Sequence, residues 1–251
     1  MKALLLAAGF GTRLGEITKK TPKCLVKVGQ ETMLDHWLYK LVTLGVNEFF
    51  VNTHYLNNQV EEFIANHPLK KKVSILHEPK LLGTGGTVAC NIKILEGENC
   101  FIVHVDNYCL DPLDLFLSAH QNRPESTVLS MLTFNTNTPK NCGIVEVDEH
   151  NRLLQFHEKQ QNPPSKRANG AVYIASQPFF DLVKKLKPEP SDFSSDIIPA
   201  LIGKIYCHQT EYYFDDVGTK AALIKANSHS AGINFLECKS RCLVKNSGDM
   251  F

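Results

Sequence analysis

Lys2-Ala3-Leu4-Leu5-Leu6-Ala7-Ala8-Gly9-Phe10-Gly11-Thr12-Arg13-Leu14 is the stretch that decides the fold. From Ala3 to Ala8 it is unbroken apolar sequence, as in a strand covered on both faces, and it stops at Gly9, where the chain can turn sharply. The run is too short to span a membrane and has no convincing cleavage pattern, so it reads as a buried first strand. Glycines at 9 and 11 let backbone N–H groups approach an anion, and Arg13 adds a planar fork suited to phosphate oxygens. No Gly-Lys-Ser/Thr follows, which excludes a Walker A loop, and the third glycine of the dinucleotide fingerprint is missing. Taken alone, the string supports phosphate binding.

Outward from this strand, apolar runs and helical patterns alternate at residues 34–44, 49–52, 60–64 and 73–76. A helix is expected from Gly85-Gly86 to Ile94, then the apolar strand 100–104, which runs into Val105-Asp106-Asn107. The alternation predicts an α/β fold: a doubly wound, mostly parallel mixed sheet with ligands at the carboxyl ends of its strands. Strand-like segments at 128–134, 143–147, 153–158 and 171–174, divided by polar turns, predict a smaller mixed-strand subregion. Helical patterns return at 178–186 and 197–202, short strands at 205–209 and 212–215, and a last helix from 219 to about 228. Periodicity then fades, so one domain over 1–229 and a loosely ordered tail over 230–251 are expected.

The 27 Lys+Arg and 26 Asp+Glu nearly cancel, leaving no basic field to recruit nucleic acid or an anionic membrane. Any phosphate site must be built locally. Eight cysteines form no CxxC pair, which favours reduced thiols in a cytoplasmic protein. Cys238 and Cys242 have no second pair or nearby histidine to complete a zinc site. Leu34, Trp37 and Leu38 suit a core or a subunit interface equally, so oligomeric state stays open.

The Leu6–Leu14 string, followed by Thr21-Pro22-Lys23, resembles the signature of the sugar-1-phosphate nucleotidyltransferases, with the look of the mannose- and heptose-1-phosphate guanylyltransferases. The resemblance implies a Rossmann-like nucleotidyltransferase fold in which Leu6, Ala7, Ala8, Gly9, Gly11 and Thr12 bind the nucleotide and the Gly9–Arg13 loop wraps its triphosphate. Arg13 and Lys23 would be the catalytic cations that neutralise it. Glu78-Pro79-Lys80-Leu81-Leu82-Gly83-Thr84-Gly85-Gly86 is similar to the family's nucleobase loop, which implies nucleotide contacts for Glu78, Gly83 and Thr84. A carboxylate only accepts and the N1/N2 edge of guanine donates, so Glu78 tilts the reading toward GTP. Asp106 stands where the family has Gly-Asp, and Asp216 lies in Tyr213-Phe214-Asp215-Asp216-Val217-Gly218-Thr219, similar to the string that closes the family's catalytic domain. Both are implied Mg²⁺ ligands, Asp106 also a nucleotide contact, and Asp215 is the spare. The doubly wound sheet is expected to bring the two strand ends together.

Cys142-Gly143-Ile144-Val145, Phe156-His157-Glu158-Lys159 and Asn169-Gly170-Ala171-Val172-Tyr173 resemble the family's sugar-phosphate contacts. By that likeness Gly143, Glu158 and Asn169 meet the sugar and Lys159 pairs with its phosphate. The implied reaction is Mg-dependent: an NTP and a sugar 1-phosphate give an NDP-sugar and pyrophosphate. GTP with a mannose- or heptose-type sugar is favoured, and UTP, dTTP or CTP with glucose or an amino sugar is the alternative. A non-catalytic nucleotide sensor would not need both aspartates with Arg13, Lys23 and Lys159. A dinucleotide oxidoreductase lacks its third glycine and an acidic ribose ligand after residues 49–52. The short stretch after Thr219 leaves no room for long left-handed helical repeats, so a compact, single-activity enzyme is expected.

Overall fold

Strand β1 (Lys2–Leu6) is buried on both faces, which explains its unbroken apolar run. Ala3 and Leu5 pack with Trp37, Phe49 and Phe101 in one core; Leu4 and Leu6 pack with Val88, Ile102, Tyr173 and Phe193 in the other. The structure, a computed structural model, describes residues 1–231.

After β1 come α1 (Glu16–Lys20), β2 (Lys27–Val28), β3 (Glu31–Thr32), α2 (Met33–Thr43), β4 (Glu48–Thr53) and α3 (Asn57–Ala65). Next are β5 (Val73–His77), α4 (Gly83–Cys90), α5 (Ile92–Leu95), β6 (Cys100–His104), β7 (Asn107–Cys109) and α6 (Asp114–Gln121). The second half adds β8 (Leu129–Asn135), β9 (Gly143–Val147), β10 (Leu153–Glu158), β11 (Arg167–Ala175) and α7 (Gln177–Val183). It ends with α8 (Ile198–Ala200), β12 (Ile205–Gln209), β13 (Phe214–Asp216) and α9 (Lys220–Ser230).

Strands β5, β4, β1 and β6 lie side by side and parallel. From β1 the chain moves outward to β4 and β5, then returns to the other flank of β1 as β6. This reversal is the switch point at which α/β sheets open a crevice at their carboxyl ends. The Gly9 loop and Asp106 both emerge there. Beyond β6 the sheet continues antiparallel through β11 and β8, and β12 runs parallel to β8. The β9·β10 hairpin joins by the pair Ala168↔Ile144 and forms part of the expected mixed-strand subregion. The fold is therefore of the doubly wound α/β type read from the sequence.

Helix α2 starts on a capping box between Thr32 and Asp35. Leu34, Trp37 and Leu38 are fully buried within the protomer, and the indole of Trp37 donates to the Asn107 carbonyl at 2.9 Å. These three are core. The helix expected over 85–94 starts earlier, at Gly83, and breaks at Asn91, whose amide donates back to Thr87 O at 2.8 Å. Strand β11 begins earlier than its apolar run because Arg167 is anchored to Thr133, Asn151 and the Cys207 carbonyl. Its register shifts between Asn169 and Tyr173, with Ala171 at φ 50°.

Among the described residues no helix is long and apolar enough to cross a membrane. The six described cysteines are free, and burial pushes the thiols of Cys24, Cys100, Cys109 and Cys207 up to about 12. Beyond Ala231, the expected tail, with Cys238 and Cys242, lies outside the described residues.

Candidate active site

The loop after β1 is shaped by two left-handed glycines, Gly11 (φ 65°) and Gly15 (φ 64°). A Cβ on Gly11 would come within 2.9 Å of Thr18 Cγ2 and 3.0 Å of Lys23 Cβ, so only glycine lets the loop fold down onto the Lys23 turn. Thr18 Oγ1 donates to Gly11 O at 2.8 Å and closes it. The Ala7 N–H is engaged by Asn52 Oδ1 at 2.6 Å. The N–H groups of Gly9, Phe10 and Gly11 have no acceptor among the described residues and form the anion-seeking part of the loop.

Arg13 and Lys23 converge on the two aspartates. Lys23 Nζ is bonded to Asp106 Oδ2 and lies 3.4 Å from Asp216 Oδ1; Arg13 Nη2 lies 3.1 Å from Asp216 Oδ2. The Lys23 side chain is only 10% exposed, so its ammonium is a buried cation held between two carboxylates. Burial works against the Asp106 carboxylate, but the Lys23 ammonium beside it prevails and holds it below the usual carboxylate range. Contrary to the expectation from the sequence, the main sheet does not by itself bring Asp106 and Asp216 together. They meet through the short β7·β13 ladder, where Asn107 faces Asp216, and through Val217 N–H donating to Asp106 O at 2.8 Å.

A cavity of about 160 Å³ lies at the switch point, lined by Leu6, Ala7, Ala8, Gly9, Lys23, Asn52, Leu81, Gly83, Thr84, His104 and Asp106 among others. Burial holds the His104 imidazole below its ordinary value and hence neutral. Thr12 and Arg13 stand outside the cavity on the exposed side of the loop.

Glu78, expected at the nucleobase, lies inside the protein. It is 4% exposed and does not line the cavity; its carboxylate accepts from Asn52 Nδ2 at 3.0 Å, Thr87 Oγ1 at 2.5 Å and Leu82 N at 3.1 Å. With three donors from the protein on its two oxygens it braces the loop from inside, so its carboxylate alone carries no argument for guanine. The glycines that follow are also explained by a protein contact. A Cβ on Gly83 (φ 78°) would lie 2.3 Å from Ser191 O, and the N–H groups of Gly85 and Gly86 donate to that carbonyl at 3.0 and 3.2 Å. Thr84 Oγ1 donates to Asp192 Oδ2 at 3.2 Å and accepts from Phe193 N at 2.8 Å. Gly83 and Thr84 thus wall the cavity while docking it to the π-helical turn Phe193–Ile197. Gly83→Ala is expected to destabilise the fold by more than about 2 kcal/mol; an unchanged chemical-denaturation midpoint would contradict this packing.

The residues expected to meet the sugar phosphate form a second cluster along β9, β10 and β11. Gly143 faces Glu158, and a Cβ there would sit 2.8 Å from Glu158 Oε2 and 2.3 Å from the Phe156 ring. Lys159 (φ 47°) donates its N–H to Cys142 O at 3.2 Å, and its exposed ammonium lies 3.2 Å from Glu158 Oε1. Asn169 Oδ1 accepts from Ala171 N and its Nδ2 donates to Tyr173 OH, each at 2.8 Å. None of these four lines the cavity. Cys142 lies between the clusters: burial first, then Asp216, Asp215 and Glu158, raise its thiol.

The sequence reading gave no role to Asn52, Gly218 or Asp192. A Cβ on Gly218 would fall 2.6 Å from Arg13 Nη2 and 2.9 Å from Asp216 Oδ1, so any larger residue there would displace the ends of that ion pair. Its place directly after Asp216-Val217 was the available signal. Asp215, the spare, holds Lys225 at 2.7 Å.

Residues 2–232 match the family NTP_transferase, described as nucleotidyl transferase. The chain is 32% identical over 225 residues to the mannose-1-phosphate guanylyltransferase catalytic subunit beta of Dictyostelium discoideum, covering 87% of this chain and 61% of that protein. It is 26% identical over 233 residues to the bifunctional protein GlmU of Methanocaldococcus jannaschii, covering 91% of this chain and 54% of that one. The chain thus spans about three-fifths or less of these relatives' lengths. In fold it resembles HddC of Yersinia pseudotuberculosis complexed with GMP-PN, at TM-score 0.74 and 22% identity, covering 91% of this chain and 98% of that one. A Bacillus anthracis protein described as a candidate glucose-1-phosphate thymidylyltransferase, in complex with sucrose, matches at TM-score 0.82 and 22% identity, covering 93% and 96%.

Proposed function

The chain belongs to the nucleotidyl transferase family, and from that membership we propose that it transfers a nucleoside monophosphate from an NTP to a sugar 1-phosphate, releasing pyrophosphate. The observation that carries this reading is the convergence of Arg13 and Lys23 on Asp106 and Asp216 beside a glycine loop with free N–H groups. No protein nucleophile is required, because a sugar phosphate is already ionised at neutral pH. The work of the site is to bring two anions together and to neutralise charge on the leaving pyrophosphate. Arg13, Lys23 and the loop N–H groups serve the triphosphate. Lys159 serves the attacking phosphate, while Gly143, Glu158 and Asn169 serve the sugar.

Asp106 and Asp216 are the residues that would hold Mg²⁺. Both already share one cation, the Lys23 ammonium, and carboxylate oxygens are the donors a hard divalent ion prefers. When bound, the ion would supply further positive charge against the phosphate oxygens.

GTP with a mannose-type sugar 1-phosphate is the favoured pair. Support comes from the guanylyltransferase relatives and from the guanine nucleotide held by HddC, since the Glu78 carboxylate alone carries no argument for the base. The fold likeness to the candidate thymidylyltransferase and the sequence likeness to GlmU support UTP or dTTP with glucose or an amino sugar as the second reading. A matrix of the NTPs against several sugar 1-phosphates, followed by pyrophosphate release, tests both. Highest kcat/KM for GTP with mannose 1-phosphate is expected, and silence across the whole matrix defeats the reaction.

A further inference from the structure

Asn107 links the nucleotide half of the site to the sugar half. It is 6% exposed, and its Nδ2 donates to the carbonyls of His104 at 3.2 Å and Gly170 at 3.0 Å. Its own carbonyl accepts from the buried indole of Trp37, and its backbone faces Asp216 in the β7·β13 ladder. Asp106 immediately precedes it, and Asn169 immediately precedes Gly170. One side chain therefore ties together the turn bearing Asp106 and the strand bulge bearing Asn169.

From this geometry we infer that Asn107 is a positioning residue that sets the distance between the carboxylate pair and the sugar-side cluster. The inference rests on the proposed reaction and assigns no contact with substrate. Its chemistry is selective: both partners of Nδ2 are carbonyl oxygens, which only accept, so the position calls for a group with two N–H donors. Aspartate has the same shape but would aim an oxygen at two carbonyls.

The bulge is confined everywhere except where Asn107 holds it. A Cβ on Gly170 would lie 2.9 Å from Leu132 O and 3.1 Å from Phe214 Cζ, so the backbone is already pressed against β8 and β13. Asn169 is turned inward onto Tyr173 OH and Ala171 N, with Ala171 in the left-handed region. Losing the Asn107 bond frees the bulge on the β6 side, and the first residue to shift is Asn169.

The test compares Asn107→Asp and Asn107→Ala in the full chain, reading KM for the sugar 1-phosphate, kcat and, by calorimetry, the NTP dissociation constant. A rise of about tenfold or more in KM for the sugar 1-phosphate is expected, larger in the aspartate variant. The NTP constant is expected to move by less than about threefold. Equal shifts for both substrates, or none for either, overturn the inference. Should the aspartate variant fail to fold, the alanine variant, which sets no charge against the carbonyls, decides. An inactive parent protein defeats the proposed reaction and the inference with it, whereas an active parent with unmoved variants defeats the inference alone.

Discussion

Asp106→Ala is expected to lower turnover by about 10³-fold while the chain stays folded. The carboxylate stands at the switch point, lines the cavity and is the closer partner of the Lys23 ammonium. Its removal takes away one of the two carboxylates proposed to hold a divalent ion and leaves a nearly buried ammonium with Asp216, at 3.4 Å, to balance it. Lys23 then swings toward other acceptors, so the substrate phosphates lose a fixed cation as well. The fold should survive because Asp106 contributes its backbone, not its side chain, to the contact with Val217, and that remains in alanine. Asp215→Ala is the control: it removes a carboxylate one residue from Asp216 that is committed to Lys225, and most activity should remain. Pyrophosphate release and a thermal melt on the three proteins decide the matter. An Asp106→Ala protein with more than a tenth of parental turnover would sink the assignment.

Features legible in the sequence are those whose pattern is local. The apolar run of β1, the glycine break behind it and Arg13 lie within a dozen positions, so their pattern carries their meaning. Asp106 also stood out, at the end of the buried β6. The bracing part of Glu78 could not be read, because its partners, Asn52 and Thr87, come from β4 and α4, and only folding brings them to its carboxylate. Glycines 83, 85 and 86 were read as room for a base, yet the backbone against them belongs to Pro190–Asp192 far along the chain. The ladder that unites the aspartates is built from strands of three residues each, too short to show a period of two.

Lys23→Met carries the second large effect, and it runs in opposite directions for two observables. Turnover is expected to fall by about 10²- to 10³-fold, because a preorganised cation beside the phosphates is lost. Divalent-ion binding to the protein alone is expected to tighten by about tenfold or more, because the ammonium now shared by Asp106 and Asp216 is gone and only Arg13, on Asp216, still offsets the two carboxylates. In the parent protein Lys23 would have to leave the two aspartates before they could hold a divalent ion, and it leaves readily only if something else accepts its charge. A triphosphate does so, and the two ligands should therefore bind cooperatively in the parent and independently in the variant. Mn²⁺ titrations followed by electron paramagnetic resonance, with and without a non-hydrolysable NTP analogue, measure both quantities. Lys159→Met removes a cation whose ion partner is Glu158, away from the pair, and should leave apo-protein Mn²⁺ affinity unchanged. Weaker Mn²⁺ binding in Lys23→Met, or equal tightening in Lys159→Met, would show that Lys23 does not stand in the ion's place.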